Sequence, residues 1–357
     1  GRPRGAVISH RAAAACTWAM VHATALGADD VAVSWLPLFH DMGLVGGMLC
    51  PVVFGFPVHL LSPGEFLLHP RRWLERCAVA GVTVAAAPDF AWRLCARRVT
   101  NFGGDLSRWR VAIDGAEPVH RSTLDRFADR FRDNGFSPAA FRPSYGLAEN
   151  TLAACMYDPA RPAEDADRAG RMLPSVGGPI AGNALRIVGP GGEDCAEGVE
   201  GEIYLRSASQ MDGYFRDDAQ SQAALVDGWL RTGDLGLVRG GQCFVSGRAK
   251  ELVIQNGTKF HPYDIERVAA DALDATLAGA AAYVEPGPEG DVLVLAAEVP
   301  SGKAEGAERR VRGAILEALG VRVDRVVLVP PGALPRTSSG KIRRVEARSV
   351  VEAQDGR

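Results

Sequence analysis

The chain has 357 residues, of which 47% are hydrophobic and 23% are charged, and its formal net charge is -3. A chain of this length and composition predicts two or three globular domains with room for large cores. The slight negative charge argues against a nucleic-acid-binding surface and against a polybasic membrane patch.

The seven cysteines are scattered and form no Cys-x-x-Cys pair. This pattern fits a reducing cytoplasm and favours neither a zinc site nor a disulfide framework. The apolar stretch 44–61 is interrupted by glycine and proline. It therefore predicts a buried helix that leads into a core strand over Pro57–Leu61, not a membrane span. We expect a cytoplasmic protein.

The first part of the chain alternates between helix and strand patterns. The predicted helices are Ala12–Leu26, Pro70–Val79, Phe90–Val99 and Ser122–Arg132, and the predicted strands include Val82–Ala87 and Val111–Ile113. This alternation predicts a mainly parallel sheet with helices on both faces. Ligands of such sheets bind beyond the carboxyl ends of the strands, here at loops such as Asp114–Pro118.

Residues 150–175 are rich in charge and proline, which predicts a surface loop. The runs Val176–Ile180, Ala184–Val188 and Glu202–Ser207 predict a small β subdomain within 176–246. Two further β-like runs flank a glycine followed by charged residues, a pattern typical of a bend that stays hydrated. We interpret 248–250 as a hinge.

A different pattern follows Lys250. Helices are predicted over Pro262–Leu273 and Ala304–Leu319, and strands over Ala280–Val284, Asp291–Val299 and Arg325–Val329. The sequence therefore predicts an α/β protein. A large N-terminal domain over 1–247 has a mainly parallel helix-flanked sheet plus the small β subdomain. A small mobile α+β C-terminal lid domain covers 251–357.

Several residues have chemistry that suits a nucleotide. Asp234 follows Thr-Gly in a predicted turn, where a carboxylate can accept hydrogen bonds from vicinal hydroxyls. Tyr145 offers an aromatic face, and Glu149 offers a hard oxygen ligand. Each residue alone has an ordinary structural explanation: a common turn, a core aromatic residue, or an acid at a helix start.

Together the motifs resemble those of the adenylate-forming enzymes (acyl-CoA synthetases, adenylation domains and luciferases), across essentially the entire chain. The segments that carry the resemblance are Gly1–His10, Ser34–Gly43, Asp114–Val119, Ser144–Thr151, Trp229–Gly236, Phe244–Glu266 and Leu334–Arg344. The amino-acid sequences of several segments are most similar to those of the fatty acyl-AMP ligases, which load acyl groups onto acyl carrier proteins. The resemblance also implies a large N-terminal portion before Gly1, because the first half of the phosphate loop is missing.

The resemblance implies ATP and Mg²⁺ as cofactors and gives individual residues a role. It implies adenine contacts from Gly115, Ala116, Glu117, Tyr145 and Gly146, ribose contacts from Asp234 and Arg248, phosphate contacts from Arg4 and Gly5, and a Mg²⁺ ligand in Glu149. It further implies that Lys341 binds the acyl carboxylate and α-phosphate, that His40 gates the acyl pocket, and that Lys250 is the hinge residue.

The activity implied is ATP-dependent conversion of a fatty or related carboxylic acid to an acyl-adenylate. The acyl group would then pass to the phosphopantetheine thiol of an acyl carrier protein. An acyl-CoA ligase is the alternative, because the loop after Glu149 is shorter than the insertion typical of fatty acyl-AMP ligases. Two alternatives of another class are a catalytically weak nucleotide-binding remnant and a carrier-protein docking module.

Overall fold

The computed structural model describes residues 4–168, 171–255, 258–273, 279–287, 290–300, 302, 304–336 and 342–354. The chain divides into two compact units, residues 2–247 and 248–357. Each unit has a core of its own, and each is described separately below.

The strands of the described residues are mostly short. In chain order they are β1 Ala6–Val7, β2 Ala32–Ser34, β3 Val58–Leu60, β4 Val84–Ala87, β5 Val111–Asp114, β6 Phe141–Gly146, β7 Ala153–Met156, β8 Ala166–Arg168, β9 Arg171–Leu173, β10 Gly178–Pro179, β11 Asn183–Val188, β12 Gly201–Ser207, β13 Gly213–Tyr214, β14 Leu225–Val226, β15 Trp229–Arg239, β16 Gln242–Arg248, β17 Val253–Gln255, β18 Thr258–Phe260, β19 Ala280–Gly287, β20 Gly290–Glu298 and β21 Arg325–Val329.

The α-helices of the described residues are mostly ten to fifteen residues long. They are α1 His10–Thr24, α2 Cys50–Phe54, α3 Pro63–Leu68, α4 Pro70–Ala80, α5 Asp89–Arg98, α6 Arg121–Arg130, α7 Asp218–Ala224, α8 Pro262–Ala272, α9 Ala307–Leu319 and α10 Arg344–Gln354. A π-helix spans Met42–Leu49, and 3₁₀ turns include Ala148–Asn150 and Ala249–Glu251.

The largest sheet has seven strands in the order β10-β7-β6-β5-β4-β2-β3. Pairing is parallel from β3 through β2, β4 and β5 to β6, whereas β7 and β10 are antiparallel. Helices α4, α5 and α6 each connect consecutive parallel strands, as crossover connections in such sheets require. The predicted α/β class with a mainly parallel sheet is confirmed.

Three fully buried tryptophans pack at the centre of the core beside this sheet. The ring centroids of Trp73, Trp92 and Trp109 lie 5.3–5.6 Å apart. The indole N–H of Trp92 donates to the carbonyl of Ala87, and that of Trp109 donates to the carbonyl of Val111, each at 3.1 Å. These bonds satisfy buried indole donors and fix β4 and β5, which lead into the loops of the candidate site.

A second sheet has the order β11-β12-β15-β14, and β16 pairs with β15. It contains the strands predicted over Ala184–Val188 and Glu202–Ser207, which are confirmed as β11 and β12. The placement of Val176–Ile180 in this sheet is wrong. Only Gly178–Pro179 is a strand there, and it pairs with β7 at the edge of the large sheet. Proline fits an edge because it lacks a backbone N–H to donate.

The prediction of a surface loop over 150–175 holds for residues 157–165, which are irregular and largely exposed, and is wrong for the strands on either side of them. Strand β7 is completely buried, and the β8–β9 hairpin places Ala166 and Leu173 in a small core with Leu237 and Phe244. Four apolar residues, from Ala153 onward, are too short a run to stand out beside so many charges. Their burial depends on β6, which lies next to them in space.

The segment 42–54 differs from the predicted buried helix. It begins as a π-helix, and a Cβ on Gly43 would lie 2.2 Å from the carbonyl oxygen of Pro37, so only glycine fits there. Val52 and Val53 in α2 are 72% and 61% exposed, and β3 is an edge strand and not a core strand. None of the helices in the described ranges is long and apolar enough to cross a bilayer.

The second unit, 248–357, contains a three-stranded sheet in the order β19-β20-β21, with α8, α9 and α10 among its helices. Two arginines pair with glutamates within it, of which Glu298 and Glu266 are poorly exposed. Arg336 contacts Glu298 at 2.8 Å, and Arg344 contacts both Glu266 and Glu251. The predicted helices and strands of this region are confirmed within a few residues, which makes the unit α+β in composition.

Candidate active site

The candidate site lies where strands of the large sheet end. β5 ends at Asp114, and the next residue, Gly115, packs so closely that an added Cβ would lie 3.1 Å from the Ser144 carbonyl oxygen of β6. Ala116 follows with φ of 67°, a conformation that a residue with a Cβ seldom adopts. The predicted adenine loop is therefore a tightly held backbone turn at the carboxyl edge of the sheet.

Tyr145, near the end of β6, is joined directly to Asp234 of β15. The Tyr145 hydroxyl donates a 2.7 Å hydrogen bond to Asp234 Oδ2, and both side chains are buried. Burial, and then the neighbouring Asp234 carboxylate, raise the pKa of Tyr145 well above its usual value. The hydroxyl therefore stays protonated and keeps its role as donor.

Asp234 does not lie in a turn, as the Thr-Gly-Asp sequence predicted, but in a bulge of β15. Glu202 pairs with Leu235 and Tyr204 pairs with Arg231, so three residues of β15 lie opposite one residue of β12. The Thr232 hydroxyl donates to the Ile203 carbonyl at 2.7 Å and accepts from the Asp234 N–H at 3.1 Å. Such bulges redirect side chains, and this one turns Asp234 towards Tyr145.

A second tight turn leads from Tyr145 to Glu149. A Cβ on Gly146 would lie 2.1 Å from the carbonyl oxygen of Leu152, which excludes any other residue without a backbone shift. Thr151 has φ of 63° and ψ of −55°, an outlier for a β-branched residue. Its buried hydroxyl donates to the Ser209 carbonyl at 2.6 Å, and this bond helps to hold the strained backbone.

Glu149 is held between Tyr214 and Arg4. The Tyr214 hydroxyl donates to Glu149 Oε1 at 2.6 Å, and an Arg4 guanidinium nitrogen lies 3.7 Å from the same oxygen. The guanidinium also lies over the Tyr214 ring, 4.3 Å from its centroid. β1 brings Arg4 here by pairing with β13, and the Gly5 carbonyl accepts from the Phe215 N–H.

The surroundings of Glu149 fit a Mg²⁺ ion that is shared with a phosphate ligand. The contacts with Tyr214 and Arg4 both use Oε1, and the side chain is 21% exposed, so Oε2 remains available. Mg²⁺ commonly binds one or two carboxylates together with substrate phosphates and water. The described residues contain no group of three or more His, Cys, Asp or Glu side chains that could hold a metal without a ligand.

The adenine contact predicted for Glu117 stays a prediction, and the structure shows a structural contact of its side chain. Its Oε1 accepts a hydrogen bond from the backbone N–H of Phe90, at the start of α5. Nearby, Asp89 accepts from the His120 N–H at 2.9 Å, and the fully buried Asp114 carboxyl has no hydrogen-bond partner among the described residues. Burial, then the charges of Asp89 and Glu117, raise the pKa of Asp114 well above its usual range.

His40 lies apart from these contacts within the same unit. Its Nδ1 is 2.7 Å from Asp41 Oδ1, just before the π-helix, and the side chain is 25% exposed. π-helical turns occur frequently at functional sites. The position is compatible with the gating role, which stays a prediction.

Three predicted residues belong to the second unit. Arg248 is exposed at the end of β16, and Lys250 lies in the 3₁₀ turn that follows, where the structure describes only its backbone. Lys341 lies outside the described residues. The roles of all three stay predictions.

Two residues of the site escaped the sequence analysis. Tyr214 stands in a two-residue strand, and a lone Gly-Tyr pair carries neither periodicity nor a chemical signal. Asp89 directly precedes the helix predicted over Phe90–Val99, where an acidic residue is common and carries no functional signal. The signal in both cases is a contact with a distant segment, which no local pattern contains.

The family model of AMP-binding enzymes matches residues 1–215, and the chain belongs to this family. Over 96% of its length the chain is 37% identical to a long-chain-fatty-acid–AMP ligase of Mycobacterium marinum. Over 98% it is 34% identical to a protein of Caulobacter vibrioides named as an acyl-CoA synthetase. The chain spans 66% of the length of each of these curated relatives.

A solved structure supports the same placement. A structure from work on the fatty acyl-adenylate ligases of E. coli and L. pneumophila superimposes with a TM-score of 0.88 at 34% identity. The superposition covers 99% of this chain and 68% of that one. The α/β fold described above is therefore the fold of that structure.

Proposed function

We propose that the protein to which this chain belongs activates a fatty or related carboxylic acid with ATP and then transfers the acyl group to a thiol. The observation that carries the proposal is the Tyr145–Asp234 hydrogen bond. It supports the proposal because it joins, at the carboxyl edge of the sheet, the aromatic ring and the carboxylate that we assign to adenine and ribose. The names of the relatives supply the class of substrate.

The first half-reaction is a substitution at phosphorus. An oxygen of the substrate carboxylate attacks the α-phosphorus of ATP, the bond to the bridging oxygen breaks, and pyrophosphate leaves. Catalysis of such a step is mostly alignment and charge stabilisation. Tyr145 and the Gly115–Ala116 backbone would hold adenine, Asp234 and Arg248 the ribose, and Arg4, Gly5 and Lys341 the phosphates.

Glu149 would hold Mg²⁺, which when bound neutralises phosphate charge. The Tyr214 hydroxyl fixes the orientation of that carboxylate, because it already donates to Oε1. Arg4 adds a positive charge 3.7 Å from the same oxygen. These residues bind and orient, and none needs to transfer a proton.

In the second half-reaction a thiol sulfur attacks the acyl carbonyl carbon and AMP departs. We propose the phosphopantetheine of an acyl carrier protein as the thiol, and a rotation of the second unit about Lys250 between the two half-reactions. An acyl-CoA ligase is the second candidate, and the Caulobacter vibrioides relative favours it by its name.

The test is an acyl-transfer assay on the full-length protein, with ATP, Mg²⁺ and fatty acids of increasing length. Holo acyl carrier protein and CoA are offered separately and together, and AMP and thioesters are quantified by mass spectrometry. Acyl-carrier thioester without acyl-CoA supports the proposal. Acyl-CoA as the main product assigns the second candidate. Absence of both AMP and thioester contradicts activation itself and favours a remnant or a docking module.

A further inference from the structure

Two loops of the candidate site hold each other through carboxylates. Glu117, in the loop after β5, accepts a hydrogen bond from the backbone N–H of Phe90 in α5. In return, Asp89 at the start of α5 accepts from the backbone N–H of His120, at the end of that same loop, at 2.9 Å. We call Asp89 and Glu117 the carboxylate clasp.

The clasp supplies the caps that two helices lack locally. The N-cap residue of α5 is Pro88 and that of α6 is His120, and neither side chain makes a capping hydrogen bond. The first N–H groups of a helix need acceptors and favour negative charge. Glu117 provides the acceptor for α5. Asp89 provides it for α6, where it also accepts from the Thr123 hydroxyl at 3.0 Å.

The loop between these two anchors is the one predicted to lie along adenine. Its backbone is constrained at Gly115 by the Ser144 carbonyl, and Ala116 has φ of 67°. A non-glycine residue persists in that conformation only when its surroundings over-determine it. The clasp fixes the loop from both ends, since Glu117 follows Ala116 directly and Asp89 holds His120.

Burial shows that the clasp belongs to the interior and not to a solvated surface. Asp89 and Asp114 are fully buried, and Glu117 is partly buried beside them. Both carboxylate oxygens of Asp89 accept a hydrogen bond, one from the His120 N–H and one from the Thr123 hydroxyl. Three carboxyl groups in one interior region are costly unless each has a structural use. Two of the three have such a use in the capping bonds.

We propose that Asp89 and Glu117 are positioning residues, which hold the Gly115–Ala116 backbone where adenine docks. The clasp also couples this backbone to the start of α5. The proposal rests on the proposed function for the identity of the ligand. It gives the side chain of Glu117 the role of a helix cap.

The first test compares Glu117→Ala with Glu117→Gln in fatty-acid-dependent ATP–pyrophosphate exchange. The glutamine amide oxygen can still accept from the Phe90 N–H, so this variant should stay within about twofold of the unaltered protein. Alanine removes the cap, and the KM for ATP should rise roughly tenfold, because small displacements of positioning groups are costly. Equal damage from both variants would show that the charge acts on the ligand, and no effect from either would overturn the proposal.

The second test is a double-mutant cycle between Asp89→Asn and Glu117→Ala. If both residues act on one loop, the rise in the KM for ATP in the double variant should be smaller than the product of the rises in the two single variants. Thermal unfolding is followed in parallel. A merely structural role would lower the melting temperature and the active fraction and leave the KM for ATP unchanged. A rise in the KM of the double variant equal to the product of the single rises would also contradict the clasp.

The two proposals fail in different ways. If the unaltered protein shows no acid-dependent exchange, the proposed function fails, and the same variants are then measured for AMP binding by calorimetry. Weaker AMP binding by Glu117→Ala, with recovery in Glu117→Gln, would support the clasp independently of catalysis. AMP affinities that are equal in all variants would overturn it.

Discussion

Tyr145 and Asp234 lie 89 residues apart in the chain, yet the tyrosine hydroxyl donates a 2.7 Å hydrogen bond to the aspartate Oδ2. The bond joins the last strand of the parallel series in the large sheet to the bulged strand of the second sheet. Because both side chains are buried, this contact fixes how the two sheets of the first unit meet at the candidate nucleotide site.

Tyr145→Phe keeps the ring but removes the hydroxyl from a buried carboxylate. We expect the free energy of unfolding to fall by about 1.5–3 kcal/mol, the range for hydrogen bonds to charged groups, and AMP affinity to fall with it. Urea unfolding and calorimetry measure both, with Tyr157→Phe as a tyrosine control outside this pair. If Tyr145→Phe has the same free energy of unfolding and the same AMP affinity as the unaltered protein, the role assigned to the pair is contradicted.

Tyr214→Phe tests the metal assignment of Glu149. The substitution removes the hydrogen bond to Oε1, and loss of such outer partners typically weakens metal sites on the order of tenfold. The Mg²⁺ concentration for half-maximal exchange should therefore rise by about that factor. Glu149→Gln should raise it further. An unchanged Mg²⁺ dependence in both variants would remove Glu149 from the metal site.

Asp114→Asn should make stability less dependent on pH. Burial raises the pKa of Asp114, helped by Asp89 and Glu117, so the folded protein holds this proton more tightly than the unfolded chain. The contribution of this proton to the free energy of unfolding is fully present below about pH 4. It is lost as the pH rises towards the folded-state pKa, by up to about 1.4 kcal/mol per pH unit.

Urea unfolding of Asp114→Asn at pH steps from 4 to 8 measures that effect. The free energy of unfolding of the variant, relative to that of the unaltered protein, should increase as the pH rises. Asp105→Asn is a control that should show no trend in this range, because hydrogen bonding from the Ser107 N–H lowers the pKa of that exposed group and its contribution to stability changes only below about pH 4. A stability difference for Asp114→Asn that stays constant with pH would refute the assignment.

Gly146→Ala tests the close approach behind Tyr145. The added Cβ would lie 2.1 Å from the Leu152 carbonyl oxygen, so the backbone must move, and overpacking of this kind costs about 1–3 kcal/mol. We expect lower stability together with loss of exchange activity. Gly103→Ala is the matched control, because its Cβ would meet nothing within 4 Å. Equal stability of the two variants would contradict the account.

Much of the fold followed from local patterns. The alternation of helices and strands predicted the parallel sheet. Tyr145, Glu149 and Asp234 were singled out because the motifs around them resemble those of the adenylate-forming enzymes, and their roles stay predictions. Asp234 and Tyr145 were given related roles, and the structure brings them into direct contact.

The sequence analysis failed where a residue's surroundings come from another part of the chain. The bulge at Thr232 exists because β12 pairs in a shifted register, and a lone Thr-Gly-Asp looks the same as a turn. The Gly115–Glu117 loop was assigned to adenine as a whole, and nothing local indicated that the Glu117 side chain accepts from an N–H of α5 that lies 27 residues earlier. Strand β7 was missed for the same reason, since only its pairing with β6 shows that it is buried.

The measurement that tests the central claim most directly compares the two half-reactions in the unaltered full-length protein and in Lys341→Ala. Fatty-acid-dependent ATP–pyrophosphate exchange reports acyl-adenylate formation, and thioester formation from pre-made acyl-AMP reports the transfer step. The account predicts that the unaltered protein performs both, and that Lys341→Ala loses exchange while it largely keeps transfer. Absence of exchange in the unaltered protein, or equal loss of both steps in the variant, would contradict it.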